Sequence, residues 1–356
     1  MLLEKFNRLV AYGGVEASAY DKVTGEIQKS NRFLVTWFSL LAYIVLAIMV
    51  IVSVFVPSFH NYLPLYASCF AACLAIWLVA KFPGKENNAV MLADMYVFAA
   101  LLLLLGIVLG TVLGPKEISA TYIAFLLAVP QLFTDKPYRM YILIVASVVL
   151  FIIMCLTVKD SSTWNSDITN AVLFGFISLI LCTYSISNRI HRYCLQEEIR
   201  FMAENDQLTG LRNRYCYEVS LEKASILESA GIYCVYVDVN GLHELNDTKG
   251  HDAGDRMLQY VGSVMQNLFG EEDTYRIGGD EFVAIGLNKS KEEIENLVAT
   301  MKTAVESAGY HIATGISFRE KKGIAMNTFV NEAEQAMYAD KAAYYERNGI
   351  DRRRAR

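Results

Sequence analysis

The pattern of apolar and polar positions divides the chain into two halves. Residues 33–56 carry no charge and form a run long enough to cross about 30 Å of hydrocarbon. Further apolar runs lie at 63–80, 91–113, 118–133, 141–158 and 168–187, of which 118–133 is the shortest. These runs predict six spans, so we expect the first half to be a multi-pass α-helical membrane domain.

The pattern changes after the last apolar run. Helical periodicity at 213–230, 253–268, 290–308 and 330–346 alternates with strand-like segments at 232–239, on both sides of 276–282, and at 310–317. The paired segments around 276–282 predict a β-hairpin in the middle of the order. We therefore expect an α+β domain with a mainly antiparallel sheet.

Residues 186–205 join the two halves and contain neither proline nor glycine. They predict a stalk helix that continues from the last span. The helix could pair with its copy in a second subunit or pack on its own catalytic domain, and the pattern leaves both open. An imperfect apolar stripe consists of Ile190, Tyr193, Leu195, Ile199 and Met202.

Charge adds orientation to this organisation. Lys and Arg concentrate in 1–32, 81–89 and 134–140 and are sparse in the intervening loops, which predicts that both termini are cytoplasmic. Asp94, the acid that we place nearest a span, is expected at an interface. Residues 188–356 hold 21 Lys and Arg against 27 Asp and Glu, and this acidic balance argues against a nucleic-acid partner.

These observations predict five consecutive regions. They are a cytoplasmic segment at 1–32, a six-span domain at 33–187, the stalk at 188–205, an α+β domain at 206–349 and a basic tail at 350–356.

The most informative chemistry lies in Arg276-Ile-Gly-Gly-Asp-Glu-Phe282. Gly278 and Gly279 can adopt positive φ and allow a phosphate or backbone to approach closely. Asp280 and Glu281 place two carboxylates together, which repel each other unless a cation lies between them and a ligand. The hairpin turn is therefore a candidate magnesium and phosphate site, although a solvent-exposed acidic hairpin has the same pattern.

Two further segments add to this candidate site. Asp238 ends the first strand, where it could share a Mg²⁺ ion with Asp280. Asn246 and Asp255 lie in a polar, glycine-rich stretch before a helix, and their groups suit the edge of a guanine base. The same two residues could equally be a loop former and a helix cap.

The second half resembles the GGDEF-domain diguanylate cyclases from about residue 204 to 349. The resemblance rests on an ordered set of motifs. They are Asp206-x-Leu-Thr-Gly-Leu-x-Asn-Arg214, Asp238 with Asn246, Gly250-His-x-x-Gly-Asp255, Arg276-x-Gly-Gly-Asp-Glu-Phe282, Thr314-Gly-Ile-Ser317 and Ala336-Met-Tyr-x-x-Lys341.

This resemblance implies a nucleotide-cyclase-like palm core, βααββαβ, which binds GTP with two Mg²⁺ or Mn²⁺ ions per active site. The implied roles follow by matching positions. Asp238, the carbonyl of Val239 and Asp280 are the metal ligands; Glu281 acts beside the metals; Asn246 and Asp255 read guanine; Gly278 and Gly279 admit phosphate and ribose; Lys341 contacts phosphate.

The chain departs from the family pattern at several positions. His243 stands where many members have a lysine that contacts phosphate, and an imidazole makes that contact weaker and pH-dependent. Tyr345 occupies the spacing of a usual arginine, and Asn240 replaces a frequent Asp. The inhibitory product-binding motif Arg-x-x-Asp is absent, because its positions hold Phe269 and Glu272.

The expected activity is condensation of two GTP molecules into cyclic di-GMP and two pyrophosphates at the inner membrane. The implied enzyme is a homodimer through the GGDEF domain and the stalk, with membrane lipid around its first half and cyclic di-GMP effectors downstream. Two alternatives remain: a catalytically silent GTP-binding scaffold, and a transporter or receptor with a regulatory GGDEF domain.

Overall fold

The computed structural model describes residues 2–82, 88–160, 162–226, 231–320 and 326–347. The predicted basic tail lies outside these residues. The chain separates into two compact units, Met1–Glu198 and Ile199–Arg356, and each is described by itself.

The described residues of the first unit form helices joined by turns and contain no strand. Two short 3-10 helices, Pro57–Tyr62 and Val129–Gln131, lie between the α-helices. The α-helices are α1 (Leu2–Tyr12), α2 (Ala17–Phe55), α3 (Leu63–Lys81), α4 (Asn88–Thr111), α5 (Ala120–Ala128), α6 (Pro137–Val158) and α7 (Trp164–Glu204), the last of which ends in the second unit. The predicted stalk is therefore helical, as the continuation of α7.

Five helical segments are long and apolar enough to cross a membrane. The apolar run at 118–133 differs, because its helix Ala120–Gln131 falls in the shorter class of 10–17 residues and is only about 20 Å long. A helix of that length does not cover the hydrocarbon thickness. Six spans were predicted, and the described residues contain five helices of membrane-crossing length and a shorter one at the remaining run.

The short helix nevertheless carries the chain from one end of the first unit to the other. At its start, the Ser119 hydroxyl donates to the Gly110 carbonyl, near the end of α4, over 2.8 Å. Beyond its end, the Asn31 amide donates to the Thr134 carbonyl over 2.6 Å, and Thr134 borders the same cavity as Asn88, where α4 begins. Its segment runs inside the unit, with Tyr122, Leu126, Val129, Pro130 and Phe133 buried.

Two acids that the sequence pattern places in loops are buried in this unit. Asp167, only 1% exposed, pairs with Lys159 and accepts hydrogen bonds from the backbone and hydroxyl of Ser119 at 3.1 and 3.0 Å. Asp135 accepts from Tyr96 over 2.9 Å and pairs with Arg139 over 3.1 Å. Asp94, by contrast, is only partly buried.

The second unit contains a four-stranded sheet with strand order β2-β3-β1-β4, in which every pair is antiparallel. Its elements run β1 (Ile232–Asn240), α9 (Leu242–Lys249), α10 (His251–Phe269), β2 (Thr274–Arg276), β3 (Glu281–Gly286), α11 (Lys291–Ser307) and β4 (His311–Arg319), preceded by α8 (Arg214–Ile226) and followed by α12 (Met326–Arg347). The order from β1 to β4 is βααββαβ, so the predicted α+β fold and antiparallel sheet are confirmed.

Alternation along β1 produces a core on each face of the sheet. Tyr233, Val235 and Val237 face one core, whereas Cys234 and Tyr236 face the other, as a period of two requires. The first core includes side chains of α10 and α11, and the second includes those of α12. β1 is buried throughout its length, which explains its nearly continuous apolar sequence.

A glycine sets the distance between α12 and the sheet. A Cβ atom added at Gly315 of β4 would lie 1.9 Å from the Ala333 carbonyl oxygen, so only glycine fits this approach. Helix α12 also carries Asp340, which accepts a hydrogen bond from the backbone of Thr314 over 2.9 Å and pairs with Lys302 over 2.6 Å. These contacts fix the helix that bears Lys341.

The stretch 246–255 forms two helices rather than the expected polar loop before a helix. Helix α9 lies between two glycines, Gly241 and Gly250. The φ of Gly250 is 82°, a conformation that is favourable for glycine. The Gly250 backbone N–H donates to the Asn246 carbonyl over 2.8 Å, which closes the last turn of α9. Asn246 therefore lies on α9 and Asp255 inside α10.

Candidate active site

The register of β1 against β3 brings the predicted carboxylates together. Asp238 and Glu281 are directly opposite each other in the antiparallel pair. The Val239 backbone N–H donates to the Asp280 carbonyl over 3.0 Å, so the hairpin turn is tied to the end of β1. Four predicted site residues are thus placed at one end of the two central strands by backbone pairing alone.

A single arginine supports the hairpin turn. Arg276 donates to the Asp206 carboxylate over 2.8 Å and to the Gly279 carbonyl over 2.7 Å. Burial opposes ionisation of Asp206, but hydrogen bonds from Arg276 and Thr209 outweigh it and lower the pKa of that carboxyl. The first motif of the domain is therefore connected to the glycine turn through one guanidinium group.

The two glycines of the turn do not act through positive φ. Neither Gly278 nor Gly279 appears among the positive-φ residues of the described chain, so that expectation is wrong. Instead, a Cβ atom at Gly278 would lie 2.7 Å from a carboxylate oxygen of Glu281, whereas one at Gly279 would meet open space. A Cβ atom at position 278 would require the flexible Glu281 carboxylate to shift, and Gly279 leaves the outer face of the turn uncovered.

Burial is the main reason that two of these carboxylates have a raised pKa. Burial raises the pKa of Asp238 to about 6, although Lys341 lowers it, and Asp280 and Glu281 add a further rise. Burial also raises the pKa of Glu281, followed by the charges of Asp280 and Glu334. Negative charge is therefore in excess at this end of the sheet, and a cation binding here would be stabilised.

Lys341 supplies the nearest positive charge. Its ammonium group lies 2.6 Å from a carboxylate oxygen of Asp238, which is only 4% exposed. Burial alone would lower the pKa of Lys341, but Asp238 and Asp280 together raise it. The predicted phosphate contact thus pairs with a predicted metal ligand.

The donor set fits a hard divalent cation in part. The described residues contain no group of three or more His, Cys, Asp or Glu side chains arranged to hold a metal. The ligand set inferred from the sequence uses two carboxylates and the Val239 carbonyl, and one of those carboxylates is held by Lys341. Oxygen ligands of this kind suit Mg²⁺, whose remaining positions are commonly filled by water and by phosphate oxygens.

The predicted guanine-reading residues lie near the junction of α9 and α10. The Asn246 side-chain oxygen is buried and has no hydrogen-bond partner in the described residues, and it would be 2.0 Å from a Cβ atom at Gly254. Asp255 follows Gly254 directly and is exposed. His243 is also exposed. Its Nε2 atom lies 3.5 Å from a carboxylate oxygen of Asp247 on the same helix.

Sequence reasoning missed two charged residues near this site. Glu334 raises the pKa of Glu281, and Arg214 lowers it. Arg214 stands at the end of the first quoted motif, which was a usable signal, but Glu334 lies outside every quoted motif. Near Lys341, Tyr345 contacts the Tyr344 ring at 5.6 Å, and Arg347 donates to the Ala343 carbonyl of its own helix.

The positions of the missing inhibitory motif have other structural roles. Phe269 is 4% exposed and packs in the first core, with its ring 6.2 Å from that of Tyr233. The Glu272 carboxylate pairs with Arg212, which also contacts Glu204 over 3.3 Å. Neither position offers a free group for a ligand.

Comparison with known proteins gives the same assignment as the geometry. Residues 203–347 match the family model described as "Diguanylate cyclase, GGDEF domain". The fold and the carboxylate cluster therefore define a domain of the GGDEF class. Residues 203–347 of this chain are a GGDEF domain, preceded by a helical region that contains apolar helices of membrane-spanning length.

The relatives share this domain. An uncharacterized protein in the hutH 5'region of Streptomyces griseus is 33% identical over 129 residues, covering 34% of this chain and 54% of that protein. Diguanylate cyclase DgcS of Shewanella oneidensis is 26% identical, and the match covers 41% of this chain and 52% of that protein. The chain spans about half or less of the length of the curated relatives it matches.

A solved structure shows a similar domain. The GGDEF domain of DgcB from Caulobacter crescentus, crystallised in complex with c-di-GMP, has 25% identity and a TM-score of 0.37. The match covers 42% of this chain and 94% of that chain.

A relative with a different name, cyclic di-GMP phosphodiesterase PdeR of Escherichia coli, is 26% identical, and the match covers 41% of this chain and 24% of that protein.

Proposed function

We propose that this protein is a membrane-anchored diguanylate cyclase, which condenses two GTP molecules into cyclic di-GMP and two pyrophosphates. The observation that supports this most directly is the placement of Asp238, Asp280 and Glu281 together at the end of β1 and β3 of a GGDEF domain. A silent scaffold has no need for three mutually repelling carboxylates, which cost stability unless a cation is bound.

Asp238, the Val239 carbonyl and Asp280 would hold two Mg²⁺ or Mn²⁺ ions together with GTP. When bound, such ions neutralise phosphate charge and favour ionisation of the attacking hydroxyl. Glu281, which is within electrostatic reach of Asp280, adds negative charge beside them or accepts a proton.

Lys341 would change partners when substrate arrives. In the structure its ammonium group neutralises Asp238. If that carboxylate were to bind a metal ion, Lys341 would be available to a phosphate oxygen. The same side chain would then serve as the partner of Asp238 without nucleotide and as a phosphate contact with it.

Base recognition would fall to Asn246 and Asp255. The buried side-chain oxygen of Asn246 has no hydrogen-bond partner among the described residues, so a donor of the base could be its partner. The exposed Asp255 carboxylate can accept from guanine N1–H and N2–H₂. His243, which the structure pairs with Asp247, would at most make a weak phosphate contact.

Each domain would bind one GTP, so two domains must meet for the 3′-hydroxyl of one nucleotide to attack the α-phosphorus of the other. The stalk offers a surface for this dimer. Leu195, Ile199 and Met202 are spaced four and three residues apart and are all more than half exposed, whereas Ile190 is buried in the first unit. The exposed part of the stripe thus favours pairing with a second copy.

The membrane half would place both termini on the cytoplasmic side. The Ser187 hydroxyl donates to the Gly13 carbonyl over 2.6 Å, so the beginning of the chain and the end of the last apolar run lie at the same end of the first unit. Lys and Arg are concentrated in the segments at this end, as they are on the cytoplasmic side of membrane proteins.

The proposal is tested by incubating the purified full-length protein with Mg²⁺ and either GTP or ATP, and identifying the products by mass. We expect cyclic di-GMP from GTP and a rate with ATP lower by about 10⁴, because adenine would leave the Asp255 carboxylate without its donors. Tight GTP binding without product would support the scaffold instead. Comparable rates with ATP would contradict the assigned guanine contacts.

A further inference from the structure

A cavity of about 430 Å³ in the first unit carries positive charge that no acid balances. Its walls come from α2, from the segment after α5 and from α7. Arg189 and Arg192 both line it, and no lining residue is acidic. The two arginines are three positions apart on α7 and therefore lie on the same face of the helix.

A neighbouring cavity of about 260 Å³ provides an internal contrast. It is lined by Lys136 and Arg139, but also by Asp21 and Asp135, and Arg139 pairs with Asp135 over 3.1 Å. The chain therefore balances its basic groups on one side of Thr134, which lines both cavities. On the other side it leaves the two arginines without a carboxylate partner in the described residues.

The position of Arg189 is fixed by the protein. It donates to the Leu132 carbonyl over 3.2 Å and to the Gln131 carbonyl, which end the short helix that follows α5. Arg192 is exposed and has no hydrogen-bond or ion-pair partner in the described chain. Arg192 is thus the group available to a ligand, and Arg189 adds charge at a fixed place.

The opposite wall of the cavity is apolar. Leu34 and Phe38 lie one turn apart on α2, inside the first charge-free run, whereas Ser30 precedes it. The cavity therefore spans the boundary between the polar and apolar parts of the membrane unit. Exposed Phe33 and Trp37 mark the same level of α2, as aromatic residues at a membrane interface do.

We propose that this cavity binds the phosphate headgroup of an anionic membrane lipid. Arg192 and Arg189 would meet the phosphate, and Leu34 and Phe38 the beginning of an acyl chain. Arginine suits a phosphate because its planar group donates two parallel hydrogen bonds. Basic pockets between spanning helices recognise anionic headgroups by the same chemistry. A bound lipid would join α2 to α7 shortly before the exposed stripe of the stalk.

The test uses the full-length protein purified in a neutral detergent and offered phosphatidylglycerol, phosphatidylcholine or inorganic phosphate. Native mass spectrometry counts the molecules that remain bound. We expect one phosphatidylglycerol per chain to be retained in preference to phosphatidylcholine, and Arg192→Gln to weaken that retention about five- to tenfold. Arg200→Gln is the matched control, because it removes an exposed arginine of the same helix outside the cavity.

A second variant makes the result independent of Arg192. Ser30→Glu adds an acid to the cavity wall and should reduce retention of phosphatidylglycerol as strongly as Arg192→Gln. Equal retention of the two lipids, or no change in both variants, would overturn the proposal. If inorganic phosphate displaced phosphatidylglycerol at a concentration similar to that of the lipid, the site would be one for a soluble anion, and the lipid assignment would be overturned. None of these measurements depends on cyclase activity.

Discussion

The two units treat charge in opposite ways. In the membrane unit, Lys159 and Asp167 are both almost fully buried and form a pair that Ser119 completes. In the GGDEF domain, Asp238, Asp280 and Glu281 share one nearby lysine, and the pKa values of Asp238 and Glu281 are raised. The first arrangement is closed among the protein's own groups, whereas the second is short of positive charge.

This difference separates a structural use of charge from a ligand-binding one. A buried pair with all its partners has no capacity left for a ligand, and its removal is expected to affect stability. A cluster with excess negative charge is costly by itself, and its carboxylates suit a cation. The Asp206–Arg276 pair is intermediate, because it is partly exposed and supports the turn that carries Asp280.

The largest effect is expected from Asp280→Ala, which tests the ligand-binding side of the comparison. If Asp280 binds metal as proposed, its loss should reduce cyclic di-GMP formation by about a thousandfold or more. The variant should unfold at the same or a higher temperature than the wild type, because a repulsive charge is removed while the backbone bond to Val239 is kept. Product formation from GTP and thermal unfolding are measured on the same preparation.

Glu271→Ala is the control for this variant, since it removes an exposed acid of the same domain away from the cluster. Turnover near the wild-type rate in Asp280→Ala would contradict the proposed role of Asp280 as a metal ligand. A large drop in unfolding temperature would show instead that Asp280 is structural.

The second-largest effect is expected on stability, from Lys159→Met in the first unit. This change leaves Asp167 buried without its counter-ion, which should lower the free energy of unfolding by about 3–5 kcal/mol. Denaturant unfolding in detergent measures it. The double variant Lys159→Met with Asp167→Leu should recover most of the loss, because two apolar groups replace the pair.

Lys29→Met serves for comparison, because Lys29 forms an exposed pair with Glu26 and should change stability by no more than about 0.5 kcal/mol. Equal effects of Lys29→Met and Lys159→Met would contradict the special role of the buried pair.

The smallest effect is expected from Asp206→Asn, at about 1 kcal/mol near neutral pH. The pKa of Asp206 is lowered in the folded protein, so its ionised form stabilises the fold above the ordinary carboxyl pKa. That contribution should be lost as the pH falls through the lowered folded value. The difference in unfolding free energy between wild type and variant should therefore shrink below about pH 4. A difference that stays constant with pH would mean that the charge of Asp206 is not involved.

Sequence patterns predicted the elements whose signals are local. The buried β1, the hairpin at 276–282 and the helical stalk follow from composition and turn residues, and the GGDEF motifs identified the domain. Helix α9 was missed because its polar, glycine-bounded sequence also suits a loop. The backbone conformation of Gly278 and Gly279 was not predicted, because it depends on the turn already being formed.

The buried charges of the membrane unit were beyond reach for a different reason. Ser119 and Asp167 are 48 residues apart, and their contact depends on how separate helices pack. Local charge content gave no sign that a lysine and an aspartate from neighbouring loop segments would be enclosed. The short helix at 120–131 was likewise judged by its apolar length, whereas its burial inside the unit decides its path.

Phe269 limits how this domain could change over evolutionary time. Its ring fills space in the core beside Tyr233, so an arginine there would bring a charge into an apolar interior. A change toward Arg-x-x-Asp needs substitutions at both Phe269 and Glu272, and the first of them would destabilise the domain. In proteins that carry this core, a new regulatory site is therefore expected outside these two positions.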